Sequence, residues 1–249
     1  MPEKRFFILT QGRTGSNLLC SLLNSHPQIA ADGEIMNKKE QLKTFHPWRV
    51  KWIRLFPHQY IQSRCNKLLK NQKTVYGFKL LVEQWPQPIE HGVQSLIDRQ
   101  FLPIYLFRKN TISQLISTTL ANQQKRWVVN SEEDYNQPPI ALDLNLASEK
   151  MSQIAQRSIT LNKLSQQYPG LMLYYEDHLL NTAMFNRAAA LVCPYLGVEL
   201  APMQTKMLKT DIRTDRERIS NFDEFLSFMS ASGYEKEVAY YLEHELTNQ

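Results

Sequence analysis

Cysteine is scarce in this sequence. The 249 residues include three cysteines, Cys20, Cys65 and Cys193, which are odd in number and far apart. This excludes a framework of disulfide bonds, and it excludes a metal site built on CxxC pairs. We therefore expect a protein of a reducing compartment that needs neither disulfide nor metal for stability.

Long apolar runs are absent as well. No run approaches the roughly 18 residues of a membrane-spanning helix. The charged start, Met1–Arg5, leads into only four apolar residues, Phe6–Leu9, which are too few for a signal peptide. There is also no internal repeat, low-complexity tract or interdomain linker. The sequence predicts a cytoplasmic protein without stable membrane insertion, folded as a single domain over residues 1–249.

Charge is distributed unevenly. The chain has 29 Lys and Arg against 24 Asp and Glu, a net charge of +5. Residues 38–73, the basic segment, have a local net charge of +9, which leaves −4 for the rest of the chain. Its only acid is Glu40, and its basic residues are Lys38, Lys39, Lys43, Arg49, Lys51, Arg54, Arg64, Lys67, Lys70 and Lys73.

Part of the basic segment has helical periodicity. Residues at spacings of three to four are Trp48, Trp52, Leu55 or Phe56, and Gln59 or Tyr60, with Arg49, Lys51 and Arg54 between them. Three interpretations stay open. A helix could pack its aromatic face on a sheet, or line an acceptor pocket. It could also contact anionic lipid, an acidic carrier protein or nucleic acid.

Short apolar runs alternate with stretches of helical period, which predicts an α/β protein with a mostly parallel sheet between helices. The predicted strands are Phe6–Leu9, Val75–Leu81, Ile104–Phe107 and Leu171–Tyr175. Each is apolar on both faces, as buried parallel strands are. The predicted helices are 16–24, 40–70 with a break near Pro57, 110–125, 146–167, 182–192 and 235–246.

The first predicted strand is followed by a polar turn with glycines and then by an amphipathic helix. This arrangement binds phosphate, because glycines let backbone N–H groups close around the oxygens and the helix N-terminus adds partial positive charge. Hydroxyl groups of Thr14 and Ser16 would add donors, and Arg13 would add a full positive charge.

The turn is not a Walker A loop, because Gly15 stands where that motif has lysine before Ser16. A nucleotide-hydrolysing enzyme would also have an Asp after a second apolar strand to hold magnesium. Here the strand that ends at Phe107 is followed by Arg108 and Lys109. The site therefore favours neutralisation of phosphates by arginine. A nucleotide-dependent kinase with a degenerate loop and a basic nucleic-acid-binding module stay as alternatives.

Several segments, in order, resemble the sulfotransferases that use 3′-phosphoadenosine 5′-phosphosulfate (PAPS), particularly their bacterial, carbohydrate and tyrosylprotein branches. Gln11–Leu19 resembles their 5′-phosphosulfate loop, and Leu23–Pro27 their LxxHP segment. Leu106–Ser117 resembles their 3′-phosphate motif, an arginine at a strand end followed by a serine. Tyr174–Leu180 and Ile219–Phe225 resemble later segments. The glycine-rich RKG segment of the cytosolic aryl branch is missing.

The resemblance implies a fold like that of P-loop kinases and transfer of a sulfuryl group from PAPS, with 3′,5′-ADP as product. The acceptor would be a hydroxyl or amine of a small molecule, such as a natural product or sugar; nucleic acid is not expected as a partner. The implied cofactor-binding residues are Arg13, Thr14, Gly15, Ser16 and Asn17 for the 5′ side, and Arg108 and Ser117 for the 3′-phosphate. Because Ser117 is nine residues after Arg108 and eight after Lys109, the main 3′-phosphate cation stays open.

The base for such a reaction must lie close to the acceptor proton. An ungapped count from Arg13 places Glu34 where the tyrosylprotein branch carries its catalytic glutamate. A capping or pairing role for Glu34 stays open, and Asp32 and His26 are alternatives. Lys79 would be an unusual residue to bury in an apolar strand without an anionic partner. The functional interpretation puts it near the sulfuryl group, and the alternative is a snorkelling edge residue.

Residues 206–218 are rich in both charges and have little helical periodicity. In sulfotransferases this stretch folds over the nucleotide. The resemblance favours Lys209 with Thr210 as a nucleotide contact, Arg216 as a weaker one, and a solvated loop as the alternative.

Overall fold

A computed structural model describes residues 4–68, 73–86, 88–124, 138–205, 207 and 213–245. Its described residues form five strands, all parallel, in the order β2-β3-β1-β4-β5. The strands are β1 (Lys4–Thr10), β2 (Ile29–Asp32), β3 (Val75–Leu81), β4 (Phe101–Phe107) and β5 (Leu171–Tyr174). The predicted α/β class with a mostly parallel sheet is confirmed.

The helices in the described residues are α1 (Ser16–Ser25), α2 (Lys38–Thr44), α3 (Pro47–Leu55), α4 (Pro57–Leu68), α5 (Ile89–Asp98), α6 (Thr111–Gln124), α7 (Leu144–Gln167), α8 (Tyr175–His178), α9 (Thr182–Leu196), α10 (Asp215–Arg218), α11 (Phe222–Ala231) and α12 (Glu235–Glu245). The break that the sequence predicts near Pro57 in the helix over 40–70 is confirmed, and a second break makes three helices of this stretch. Pro47 and Pro57 each begin a new one, because proline is favoured in the first turn of a helix and disrupts its interior. Among the described helices, none combines the length and apolarity needed to cross a membrane.

The chain divides into two compact units, residues 1–107 with 157–206, and residues 108–156 with 207–249. The first unit contains the sheet. Alternate residues of β1 enter two different core clusters, Phe7 and Leu9 one and Phe6 and Ile8 the other. Both faces of the sheet are therefore buried under helices, which is why its strands are continuously apolar.

The second unit is helical. Its core joins side chains of α6, α11 and α12, among them Ile112, Leu115, Phe225 and Tyr241. The Tyr241 hydroxyl donates to the Asp215 carboxylate at 2.9 Å. The single domain over residues 1–249 stays a prediction.

The structure of the basic segment contradicts one of the three interpretations of its sequence. In α3 the buried residues are Val50 and Ile53, whereas Trp48, Trp52 and Leu55 are exposed. The interpretation that this aromatic face packs on the sheet is therefore wrong for α3, whereas Tyr60 on α4, the last residue of the pattern, is buried in the core. Two apolar stripes share the helix, and the smaller aliphatic one is buried.

Candidate active site

The loop that follows β1 is braced from within. The Thr10 hydroxyl oxygen lies 2.7 Å from the Leu106 carbonyl, and the Thr14 hydroxyl oxygen lies 3.0 Å from the Gln11 carbonyl. The two hydroxyl oxygens are 2.6 Å apart, and both side chains are fully buried. The Thr14 hydroxyl therefore shapes the loop, and only its backbone N–H is left to contact a bound anion. Since β1 is the central strand, the loop lies at the edge where open α/β sheets bind ligands.

The geometry of the loop suits a phosphate or sulfate group. Arg13 and Gly15 both have left-handed backbone conformations, with φ of 61° and 81°, a type of turn that points successive N–H groups into one concavity. Gly15 is the N-cap of α1 and makes no side-chain cap, so the first N–H groups of this helix are not capped by a side chain. A Cβ added at Gly12 would meet no atom within 4 Å. The loop thus brings N–H groups, the Ser16 hydroxyl and the Arg13 side chain together in one turn.

Gly15→Ala is expected to destabilise the fold by about 1–3 kcal/mol, because alanine is strained at positive φ. A Cβ at Gly15 would also lie 2.4 Å from Cδ2 of Tyr175. Thermal unfolding measures the loss. Gly12→Ala is the matched control and should unfold as the wild-type protein does; equal stability of the two variants would contradict this account of the loop.

Lys79 is buried in the sheet but is not without a counter-charge. Its side chain is 3% exposed, and Nζ lies 2.7 Å from Oε1 of Glu34. Nζ also donates to Oδ1 of Asn17 on α1. The anionic partner that burial of this lysine demands is therefore Glu34. Three predicted site residues, from α1, β3 and the loop after β2, meet at this point.

Glu34 is held by its second oxygen as well. Oε2 accepts from Nδ2 of Asn37 at 2.7 Å and from Nε2 of Gln84 at 2.6 Å. Burial raises the pKa of Glu34, but the charge and hydrogen bond of Lys79, with the bonds from Asn37 and Gln84, outweigh it and hold the pKa below its usual range. The carboxylate is thus ionised near neutral pH and is 26% exposed.

Asn37 and Gln84 are site residues that the sequence alone does not identify. Asn37 caps α2 by accepting from the backbone N–H groups of Lys39 and Glu40, so its capping position before a helix was a visible signal. Gln84 follows β3, and its Oε1 accepts from the backbone N–H of Leu81. No sequence pattern distinguishes it from other polar loop residues.

The alternative bases are engaged elsewhere. Asp32 receives two hydrogen bonds from Arg64, at 2.7 and 2.9 Å, and one from the Tyr76 hydroxyl. His26 is fully buried, with Nε2 against the Glu199 carbonyl and Nδ1 accepting from the Gln28 N–H. Both therefore have structural roles, and His26 fixes the end of α1.

The residues predicted for the 3′-phosphate belong to the second unit. Arg108 directly follows β4 and is half-buried, whereas Lys109 is exposed. Ser117 lies on α6. The cap of that helix includes Asn110, whose Oδ1 accepts from the Ser113 N–H at 2.9 Å. Lys209 and Thr210 lie outside the described residues.

Comparisons with known proteins identify the fold. No family model matches the chain. It is 25% identical over 241 residues to Nodulation protein H of Rhizobium tropici, covering 94% of this chain and 92% of that protein. It is 25% identical over 146 residues to Nodulation protein H of Rhizobium meliloti, covering 57% and 58%. Among solved structures it is similar to a sulfotransferase from Alicyclobacillus acidocaldarius, with a TM-score of 0.52, 12% identity and 93% coverage of both chains. The chain therefore has the fold of the sulfotransferases, which confirms, at the level of the fold, the resemblance that its motifs indicated.

Proposed function

We propose that the protein is a PAPS-dependent sulfotransferase that transfers a sulfuryl group to a hydroxyl or amine of a small-molecule acceptor. One observation carries the proposal: the buried Lys79, paired with Glu34, also contacts Asn17 on the helix that follows the glycine-containing loop after β1. A loop of this kind binds the anionic donor, and a carboxylate beside a buried cation suits proton removal from an acceptor. The sulfotransferase fold supports the same conclusion.

The cofactor-binding roles follow from the donor set. Arg13, Ser16 and the N–H groups around Thr14, Gly15 and Asn17 would hold the 5′-phosphosulfate. For the 3′-phosphate we propose Arg108 and Ser117, since Arg108 is the more protected of two adjacent cations. Lys209 and Thr210 remain proposed nucleotide contacts. PAPS supplies the sulfuryl group when bound and leaves as 3′,5′-ADP.

Glu34 would act as the base that removes the acceptor proton. One of its carboxylate oxygens would accept the acceptor proton, while Asn37 and Gln84 fix the direction of the other. Lys79 keeps the carboxylate ionised and brings a positive charge to the place where charge develops during transfer. Positioning and charge stabilisation are the main contributions that such a transfer requires.

We also propose a cytoplasmic location. All three cysteines are free and buried, and burial raises the pKa of Cys20 to about 12. Thiols of this kind are inert and fit a reducing compartment.

The pH dependence of turnover should report the Lys79–Glu34 pair. A base works only when deprotonated, and the pKa of Glu34 is lowered. The acidic fall in kcat/KM should therefore lie below the usual range of a glutamate. Lys79→Met removes the charge that lowers the pKa and leaves burial, which raises it, so the acidic limb should move to higher pH.

The control for this pH profile is Lys43→Met, which alters an exposed lysine paired with Glu40. Its acidic limb should match that of the wild type. An unmoved limb in Lys79→Met would show that Glu34 does not set it.

The direct test of the function is transfer of radiolabelled sulfuryl from PAPS to a panel of sugars, hydroxylated natural products and amines. A labelled product with release of 3′,5′-ADP is expected. A protein that neither labels an acceptor nor binds 3′,5′-ADP would overturn the proposal.

A further inference from the structure

Helix α3 presents apolar residues to solvent on the side opposite its buried face. Val50 and Ile53 enter the core of the first unit. Trp48, Trp52 and Leu55, at positions i, i+4 and i+7, form a single stripe and are 66%, 40% and 64% exposed. A surface helix normally carries polar residues there. This stripe therefore requires an explanation beyond packing within the unit.

The stripe extends beyond α3 and is locally concentrated. The Phe56 ring lies 5.8 Å from the Trp52 ring and is 44% exposed. We call Trp48, Trp52, Leu55 and Phe56 the α3 patch. These four are among eleven large hydrophobic side chains exposed in the described residues. Such clustering marks an interaction site, whereas single exposed apolar residues need no explanation.

Basic residues surround the patch. Lys51 and Arg49 flank the stripe on the two sides of α3, as the angle of about 100° per residue requires. Lys38, Lys39 and Lys43 lie on the preceding helix, α2. The only acid between residues 38 and 55 is Glu40, and Lys43 neutralises it at 2.7 Å. Helix α3, which carries most of the patch, and the preceding helix α2 thus have a net positive charge.

A cavity adjoins the patch. Leu55 and Phe56 line an open recess of about 510 Å³ that also contains Arg5 and Arg99. The Arg5 guanidinium lies over the Phe101 ring, 4.8 Å from its centre, and donates to the Arg99 carbonyl at 2.5 Å. Within the described residues neither arginine forms an ion pair with a carboxylate. The recess is large enough for a small anionic group.

We propose that the α3 patch and the Arg5–Arg99 recess dock the protein on the surface of a bilayer that contains anionic phospholipid. Tryptophan rings and leucine would enter the interfacial region, and Lys and Arg would meet the phosphates. The recess would receive a headgroup phosphate. The proposal goes beyond the sulfotransferase function and uses none of its residues.

Other occupants fit less well. A second copy of the chain would bring two basic surfaces together, and like charges repel at an interface. A single nucleic-acid strand could stack bases on Trp48 and Trp52, but Leu55, exposed to a similar extent as Trp48, would gain nothing from it. An anionic lipid surface satisfies the aliphatic, aromatic and basic residues together.

The test is co-sedimentation of the full-length protein with vesicles of phosphatidylcholine alone and of phosphatidylcholine mixed with phosphatidylglycerol. The wild type should bind the mixed vesicles, with a shift of tryptophan fluorescence to shorter wavelength. Trp48→Ala/Trp52→Ala should weaken binding by about tenfold or more, since two interfacial anchors are lost. The matched control is Leu191→Ala/Leu200→Ala, which removes similarly exposed apolar side chains outside the patch and should bind normally.

Charge is tested separately. Arg49→Glu/Lys51→Glu should weaken binding to the mixed vesicles by about tenfold, because each cation near an anionic surface contributes to attraction. Arg5→Gln should reduce the preference for phosphatidylglycerol. The proposal is overturned by failure of the wild type to sediment, or by undiminished binding of the tryptophan variant. It is also overturned by a dimer that this variant dissociates, or by an oligonucleotide that displaces the vesicles. The vesicle assay contains neither PAPS nor a sulfuryl acceptor, so a failure to bind vesicles would not affect the proposed sulfuryl transfer.

Discussion

Glu34→Gln should lower the rate of sulfuryl transfer by about 10²–10⁴-fold, the usual contribution of a positioned general base. The amide has the size of the carboxylate and keeps a carbonyl oxygen for Lys79, but it cannot take up the acceptor proton at neutral pH. Binding of 3′,5′-ADP should be unchanged, because Glu34 lies outside the loop that we propose to hold the 5′-phosphate. Turnover measures the first effect and calorimetry the second.

Glu40→Gln is the matched control for this variant. It alters an exposed glutamate only six residues away, whose ion-pair partner in the described part of the chain is Lys43, and should leave turnover and binding intact. Turnover near the wild-type rate in Glu34→Gln would remove Glu34 from the role of base. Loss of 3′,5′-ADP binding together with turnover would instead assign Glu34 a structural role.

Arg108→Ala should weaken binding of 3′,5′-ADP by roughly 10–100-fold, as expected for loss of a hydrogen bond to a charged group worth about 1.5–3 kcal/mol. Binding of adenosine 5′-phosphate, which lacks the 3′-phosphate, should be unaffected. The comparison of the two ligands by calorimetry isolates the 3′ contact from any general damage to the site.

Lys109→Ala is the control that resolves the choice between adjacent cations. Lys109 is exposed whereas Arg108 is half-buried, so Lys109→Ala should change the affinity for 3′,5′-ADP by much less. A larger loss in Lys109→Ala than in Arg108→Ala would exchange the two assignments.

The sequence predicted the fold well where local patterns decide the structure. The run Phe6–Leu9 predicted the central strand, and the turn after it predicted the loop between β1 and α1. By contrast, β2 was missed because Ile29–Asp32 is short and contains two alanines, which have low β-propensity; it forms because β3 offers a parallel partner. Helices α5 and α11 are missing from the predicted helices, although both have helical periodicity. In α5, for example, Ile89, Val93 and Leu96 follow helical spacing.

The candidate site shows where such prediction stops. Glu34 and Lys79 were found from residue type and resemblance, but their pairing at 2.7 Å depends on how β2, β3 and the following loops pack. Gln84 joins them only through that packing. The sequence also could not show which face of α3 is buried. Its aromatic and aliphatic stripes have the same period, and only tertiary contacts decide between them.

Calorimetric titration with 3′,5′-ADP and with ATP plus magnesium tests most directly whether the site serves a sulfotransferase. We expect binding of 3′,5′-ADP without any need for metal, and weak or no binding of ATP with magnesium, because the proposed phosphate ligands are arginines and backbone N–H groups. Binding of ATP with magnesium, and none of 3′,5′-ADP, would contradict it.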